Sequence, residues 1–321
     1  MRQPLAPDLR QSIEHDSPVE SFRSTGDSDR VQGRPRDARL HPCGTVSRRA
    51  TSTPIPYPQI PPDILHVGPF RLRWYGVMYL VGYVVGITLA RRRIASGRSL
   101  LTQPQVDSLV GYAVIGMLIG ARIVYMVAYD RATLARDPLE TLRLWHGGLS
   151  FHGAILGMTA ASVLFARRVK VPWLGVTDTI AVCGAPGLFF GRIGNFINAE
   201  LYGRVTNVPW AMIFPTDPSH LPRHPSQLYE AVGEGVFVAA IVWWIDRRSH
   251  ASGWYRPGTL TAAFLLTYGV TRFFLEFARQ PDAQLGFVLG PLSMGQLLCI
   301  AMIVLAAAVA PRRRSSTGTD T

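Results

Sequence analysis

The stretch LGVTDTIAVCGAPGLFFGRIGNFINAELYGR, Leu174 to Arg204, carries a single charge, Asp178, as far as Phe190. Arg192, Asn195, Asn198 and Glu200 then arrive together, interleaved with glycines at 191, 194 and 203. An apolar run of this kind approaches the ~20 residues that cross a bilayer. Such a run should end in basic residues and loops, yet this one ends in a dense polar cluster.

The rest of the chain repeats the apolar half of that pattern. Of 321 residues, 48% are hydrophobic and 17% charged, with mean hydropathy +0.15; soluble domains carry roughly 25% charge. Seven apolar segments can be drawn: 74–90, 106–128, 149–166, 174–190, 228–245, 260–275 and 292–310. They predict an all-α polytopic membrane protein with seven transmembrane helices over residues 57–314. Residues 1–56 hold nine arginines and seven acidic residues without a secretory-signal pattern, and are expected to form a disordered, dispensable extension. The short tail 315–321 is expected to be disordered too. TPIPYPQIPP, 53–62, reads as an extended, proline-stiffened entry.

The net charge of +12 raises nucleic acid as a partner, but its placement excludes that reading. Basic clusters begin at Arg91, Arg167, Arg247 and Arg312, after the first, third, fifth and seventh segments. Positive charge beside spans marks their cytoplasmic ends. The N-terminus is then outside and the C-terminus cytoplasmic, and the loops 129–148, 200–227 and 279–290 form an outward-facing head. Cys43, Cys183 and Cys299 have neither disulfide nor zinc spacing, and no metal motif occurs. No cofactor is expected. Gly153 and Gly157, and the series Gly184, Gly187, Gly191 and Gly194, read as faces where helix backbones approach closely.

This topology brings polar residues from five segments to one depth: Tyr75, Arg122, His152, Arg192 with Asn195, and Arg272 with Glu276. Each ionisable group within a span costs a few kcal/mol, so their coincidence on one side asks for a function. Arg122 and Arg272 could snorkel to headgroups, Arg272 could pair with Glu276 four residues on, and His152 could be an interfacial histidine. As a set, arginine forks beside asparagine fit a lipid phosphate, and a histidine fits proton transfer. A phospholipid hydrolase using Ser150 and a lipid transporter are the alternatives. A transporter should place polarity at mid-membrane and repeat its halves, and neither is seen.

WYGVMYLVG from Trp74, GGLSFHGAILG from Gly147, GRIGNFINAELYG from Gly191, RHPSQLYEA from Arg223, EFARQPDAQLG from Glu276 and SMGQLL from Ser293 occur in that order. Over about 61–314 the chain resembles the bacterial prolipoprotein diacylglyceryl transferases. The resemblance implies a seven-helix inner-membrane enzyme with its site toward the outer face. It would move diacylglyceryl from phosphatidylglycerol to the lipobox cysteine of prolipoproteins, leaving a thioether and glycerol phosphate. It puts Arg192 at the phosphatidylglycerol-binding position, with Asn195, Glu200 and Gly203 beside it. It marks His152, Tyr75 and Arg272 as further required positions, His152 being the candidate base. Glu276 joins the binding set, with Arg122, Asn198, His224, Glu230 and Arg279 in support.

Overall fold

The computed structural model describes residues 54–67, 70–280 and 287–311. The extension up to residue 53, the cluster at Arg312 and the tail 315–321 lie outside the described residues. Each apolar segment falls on a long helix: α1 Trp74–Ala95, α2 Gln103–Ala128, α3 Phe151–Val169, α4 Trp173–Ile197, α5 Ser226–Ala251, α6 Thr259–Leu275 and α7 Met294–Val309. By length and composition α2, α4 and α5 can each cross a membrane, and α6 and α7 are shorter apolar helices. The protein is thus a mostly helical one with membrane character.

Local signals start these helices where the sequence places them. Thr102 and Gln105 form a capping box on α2, and Ser293 and Gln296 form another on α7. The Ser150 hydroxyl accepts from the Gly153 amide at 3.3 Å and caps α3. That hydroxyl is buried and serves as a helix cap, and nothing around it among the described residues favours a nucleophile.

Helices α2 and α3 pack backbone to backbone. A Cβ on Gly120 would stand 2.6 Å from the Gly157 Cα, and one on Gly153 2.7 Å from the Val124 Cβ. Glycine is required there, as the GxxxG reading of Gly153 and Gly157 holds. The α4 series behaves differently. A Cβ on Gly184, Gly187 or Gly191 would meet nothing within 4 Å, and only at Gly194 does a neighbour, the Tyr75 ring at 2.9 Å, come close. Helix α1 does approach α4, with a Cβ on Gly82 3.3 Å from the Gly187 Cα, but the side-chain directions at 184, 187 and 191 point past it into open space.

Helix α5 is not uniform. A π-helical turn, Ala231–Phe237, interrupts it. Glu230, Glu234, Val238, Val242 and Asp246, each four residues from the last, are all at most 3% exposed. In a helix of 3.6 residues per turn such a row drifts around the surface; the wider turn offsets the drift and keeps the row facing inward.

Between α4 and α5 the chain forms a compact polar head. Ile55–Pro56 pair in parallel with Met212–Ile213, and Tyr57 packs against Phe196 and Phe214. Asp217 takes Arg223 Nε at 2.6 Å and Nη2 at 3.1 Å, with the Ser219 hydroxyl at 2.8 Å. Arg223 in turn lies 5.0 Å above the Tyr202 ring. Hydrogen bonding from Arg223 holds the Asp217 carboxyl far below the usual carboxylate range. Its stabilisation is therefore complete above the unfolded value near ~3.9 and lost as pH falls below it. Asp217→Asn should lower the melting temperature at pH 7, and the gap to wild type should close as pH falls below about 4.

Candidate active site

Three helices deliver the charged residues. Arg192 and Asn195, three apart, share a face of the last turns of α4. Glu230 and Glu234 come from the start of α5. Arg272 ends α6, and Glu276 and Arg279 follow it directly. Arg192 Nε and Nη2 donate to one oxygen of Glu234, at 3.3 and 3.1 Å. Glu230 lies 3.0 Å from Arg192, 3.2 Å from Arg272 and 3.2 Å from Arg279. Arg272 also reaches Glu234 at 3.4 Å and Glu276 at 2.8 Å. The Ser293 hydroxyl donates to Glu276 at 2.8 Å, tying α7 to the set.

Three guanidiniums thus face three carboxylates, with Glu230 and Glu234 1% and 0% exposed. Burying six charges costs more than an apolar core of equal volume, so such a network is poor evidence for stability and good evidence for use. Arginines that merely snorkel would not be held this way.

Beside the network, the chain turns sharply out of α4. Ala199 and Leu201 hold left-handed φ values of 54° and 57°. Side chains other than glycine pay roughly 1–2 kcal/mol for that conformation. The turn brings Glu200 back to α4, where it accepts from Asn195 at 2.8 Å and Asn198 at 3.4 Å. Gly203 then passes between two strands of chain. Its amide donates to the His224 carbonyl at 2.9 Å, and a Cβ would stand 2.9 Å from that same oxygen. Gly203 also bridges to Arg279, which fixes the start of the chain leaving α6.

The other residues singled out from the sequence fall around this centre. Tyr75 packs its ring edge-on to Tyr79, with the two hydroxyls 2.9 Å apart. His224 Nδ1 lies 3.2 Å from the Tyr229 hydroxyl, which accepts from Trp210 Nε1 at 2.5 Å. Burial pushes the His224 imidazole below its ordinary value. Arg122 is 3% exposed and serves a loop: it donates to the carbonyls of Glu140, Thr141, Gly147 and Gly148 and contacts the Glu140 carboxylate. That loop leads into α3. His152 stands exposed on the first turn of α3 against the Phe151 ring, outside the arginine–glutamate contacts. Glu234 is the member that the sequence reading does not single out. Its signal was a second acid four residues after Glu230 in an apolar helix.

A cavity of about 860 Å³ adjoins the network. Arg192, Asn195, Tyr75 and Leu201 line one end, and Ala90, Val106 and Thr179 lie toward the other. The open glycines 184, 187 and 191 form part of its wall. From Tyr75 to Ala90 along α1 is about 22 Å at 1.5 Å per residue.

Fold and site together define a helical membrane protein whose charged centre opens on an elongated apolar cavity. The family profile described as prolipoprotein diacylglyceryl transferase matches residues 62–311. A protein of Nitratidesulfovibrio vulgaris named phosphatidylglycerol–prolipoprotein diacylglyceryl transferase is 48% identical over 248 residues, 77% of this chain and 91% of its own. Proteins of the same name from Azotobacter vinelandii and Bordetella parapertussis are 46% and 44% identical over 252 residues. Each match covers 78% of this chain, and 93% and 94% of theirs. The chain belongs to the prolipoprotein diacylglyceryl transferase family.

Proposed function

We propose that this protein transfers the diacylglyceryl group of phosphatidylglycerol to the lipobox cysteine of prolipoproteins at the outer face of a bacterial inner membrane. One observation carries the reading: Arg192, half-buried and held by glutamates beside Arg272, sits at the end of an apolar cavity. A phospholipid has that same division, an anionic head on an apolar chain. The cavity's length of about 22 Å exceeds one leaflet's share of the roughly 30 Å hydrocarbon core, so an acyl chain fits along α1 and α4.

The reaction is a displacement at the glyceryl carbon that bears the phosphate. The substrate thiol loses its proton, a C–S bond forms, and the C–O bond to phosphate breaks. A free thiol has a pKa near ~8.5 and is only partly ionised at neutral pH. His152 is the proposed base, exposed one residue from Phe151, which lines the cavity. The departing glycerol phosphate gains charge, and Arg192 and Arg272, held in advance by the glutamates, stabilise it. Tyr75, Asn195, Asn198 and Glu200 position the headgroup; Arg279, Glu276 and His224 hold the frame around it, and Arg122 shapes the loop before His152.

The decisive assay supplies purified protein with phosphatidylglycerol vesicles and a lipobox peptide. A thioether-modified peptide by mass spectrometry is expected, and free diacylglycerol without peptide modification would favour a hydrolase instead.

Seven spans with the N-terminus outside complete the reading. The basic ends of α1, α3 and α5 would then face the cytoplasm and the head 200–227 the outside. In a Cys43→Ser background, Leu221→Cys should react with an impermeant thiol reagent in spheroplasts and Arg168→Cys should not. The opposite pattern would reverse the orientation.

A further inference from the structure

Glu234 sits between two glycines, and both are there for contact. A Cβ on Gly235 would stand 2.6 Å from the Phe189 Cα of α4. One on Gly233 would stand 2.8 Å from the Leu275 Cδ1 and 2.9 Å from the Thr271 Cγ2 of α6. The π-turn of α5 is thereby wedged against both neighbouring helices, and the residue at its centre enters the gap between Arg192 of α4 and Arg272 of α6. π-turns recur at functional sites.

The hydrogen bonds show what the wedge does. Glu234 Oε2 takes Nε and Nη2 of Arg192, one edge of the guanidinium. Nη1 of Arg192 has no hydrogen-bond partner among the described residues, and Arg192 lines the cavity. Glu234 Oε1 and Arg272 Nη1 lie 3.4 Å apart, both buried, without an aligned hydrogen bond. Arg192 is thus held along one edge with Nη1 left over, while Arg272 is held by charge between Glu230, Glu234 and Glu276.

We propose that Glu234, wedged by Gly233 and Gly235, is a positioning residue for the transfer: it sets the two guanidiniums side by side and leaves Nη1 of Arg192 for the phosphate. The proposal rests on the reading of Arg192 and Arg272 as the phosphate-binding pair. Glu234 touches no reacting atom. It acts through the arginines, so its loss lowers the turnover rate more than it weakens lipid binding.

The test uses the full-length protein in detergent with phosphatidylglycerol micelles and a lipobox peptide. Glu234→Gln keeps the shape and removes the charge. Its kcat should fall on the order of 10²-fold, with KM for phosphatidylglycerol within about threefold of wild type. Glu234→Asp should recover part of the loss, and Gly235→Ala, which pushes the wedge off Phe189, should reproduce it. Asp178→Asn supplies the contrast. Asp178 is equally buried but, among the described residues, accepts from Tyr255, Gly258 and Thr261 rather than from an arginine. Its loss should lower thermal stability and leave kcat per folded molecule intact. A kcat within threefold of wild type in folded Glu234→Gln overturns the proposal, as does a loss confined to KM or to the amount of folded protein. Arg192→Lys separates the two levels. If it transfers normally, the phosphate reading falls and Glu234 with it; if it is inactive while Glu234→Gln is normal, the proposal alone falls.

Discussion

Arg192→Lys is expected to lower transfer to a lipobox peptide on the order of 10²–10³-fold while leaving membrane expression unchanged, the usual cost of losing one preorganised donor. The positive charge survives, so insertion and orientation should survive. What goes is the planar fork. Arg192 gives one edge, Nε and Nη2, to Glu234 and retains Nη1. A lysine offers one compact, strongly hydrated ammonium on a shorter reach. It can sit on Glu234 or Glu230, but it cannot satisfy a carboxylate and hold a phosphate oxygen in a fixed direction as well. Near-normal transfer at normal expression would mean that charge alone suffices, and would remove Arg192 from the phosphate.

That expectation could be framed from the sequence because lipid constrains a chain so strongly. Backbone polar groups in hydrocarbon must be satisfied within the helix, so apolar runs and helices coincide, and all seven segments lie on helices in the structure. The grouping of Arg192 with Arg272 and Glu276 was equally legible, since the topology puts the ends of the fourth and sixth segments on one side; Glu230 and Arg279 came only as supporting candidates. The partners were not. Arg192 lies 42 residues from Glu234, and nothing local says which guanidinium a buried carboxylate will meet. Glu230 and Glu276 stand in recognisable motifs, whereas Glu234 sits in AVGEGVF, outside all of them. Arg122 shows the converse. Its depth groups it with the others, but the carbonyls around it belong to a loop whose path the sequence does not state. His152 shares the depth of the cluster but stands apart from its contacts, because position along a helix fixes height and not direction.

The glycines carry the same lesson into a second large effect. Small residues at helical spacing look alike whether a neighbouring helix presses on them or a cavity opens beside them. The structure separates the two kinds, and leucine at each should behave oppositely. At Gly157 a Cβ would fall 2.8 Å from the Gly120 Cα. Leucine there must drive α2 and α3 apart, and the protein should fail to accumulate in the membrane. At Gly184 a Cβ meets nothing within 4 Å, and leucine is the better helix former by nearly 1 kcal/mol. Gly184→Leu should therefore fold and insert at least as well as wild type. Its side chain, however, enters the space proposed for an acyl chain. Displacing about four methylenes of lipid at ~0.8 kcal/mol each forfeits roughly 3 kcal/mol, or on the order of 10² in kcat/KM for long-chain phosphatidylglycerol. A lipid with acyl chains too short to reach Gly184 should be turned over almost as well by the variant as by wild type. Loss of transfer that ignores chain length would place the acyl chain elsewhere, and the open wall of α4 would then need another occupant.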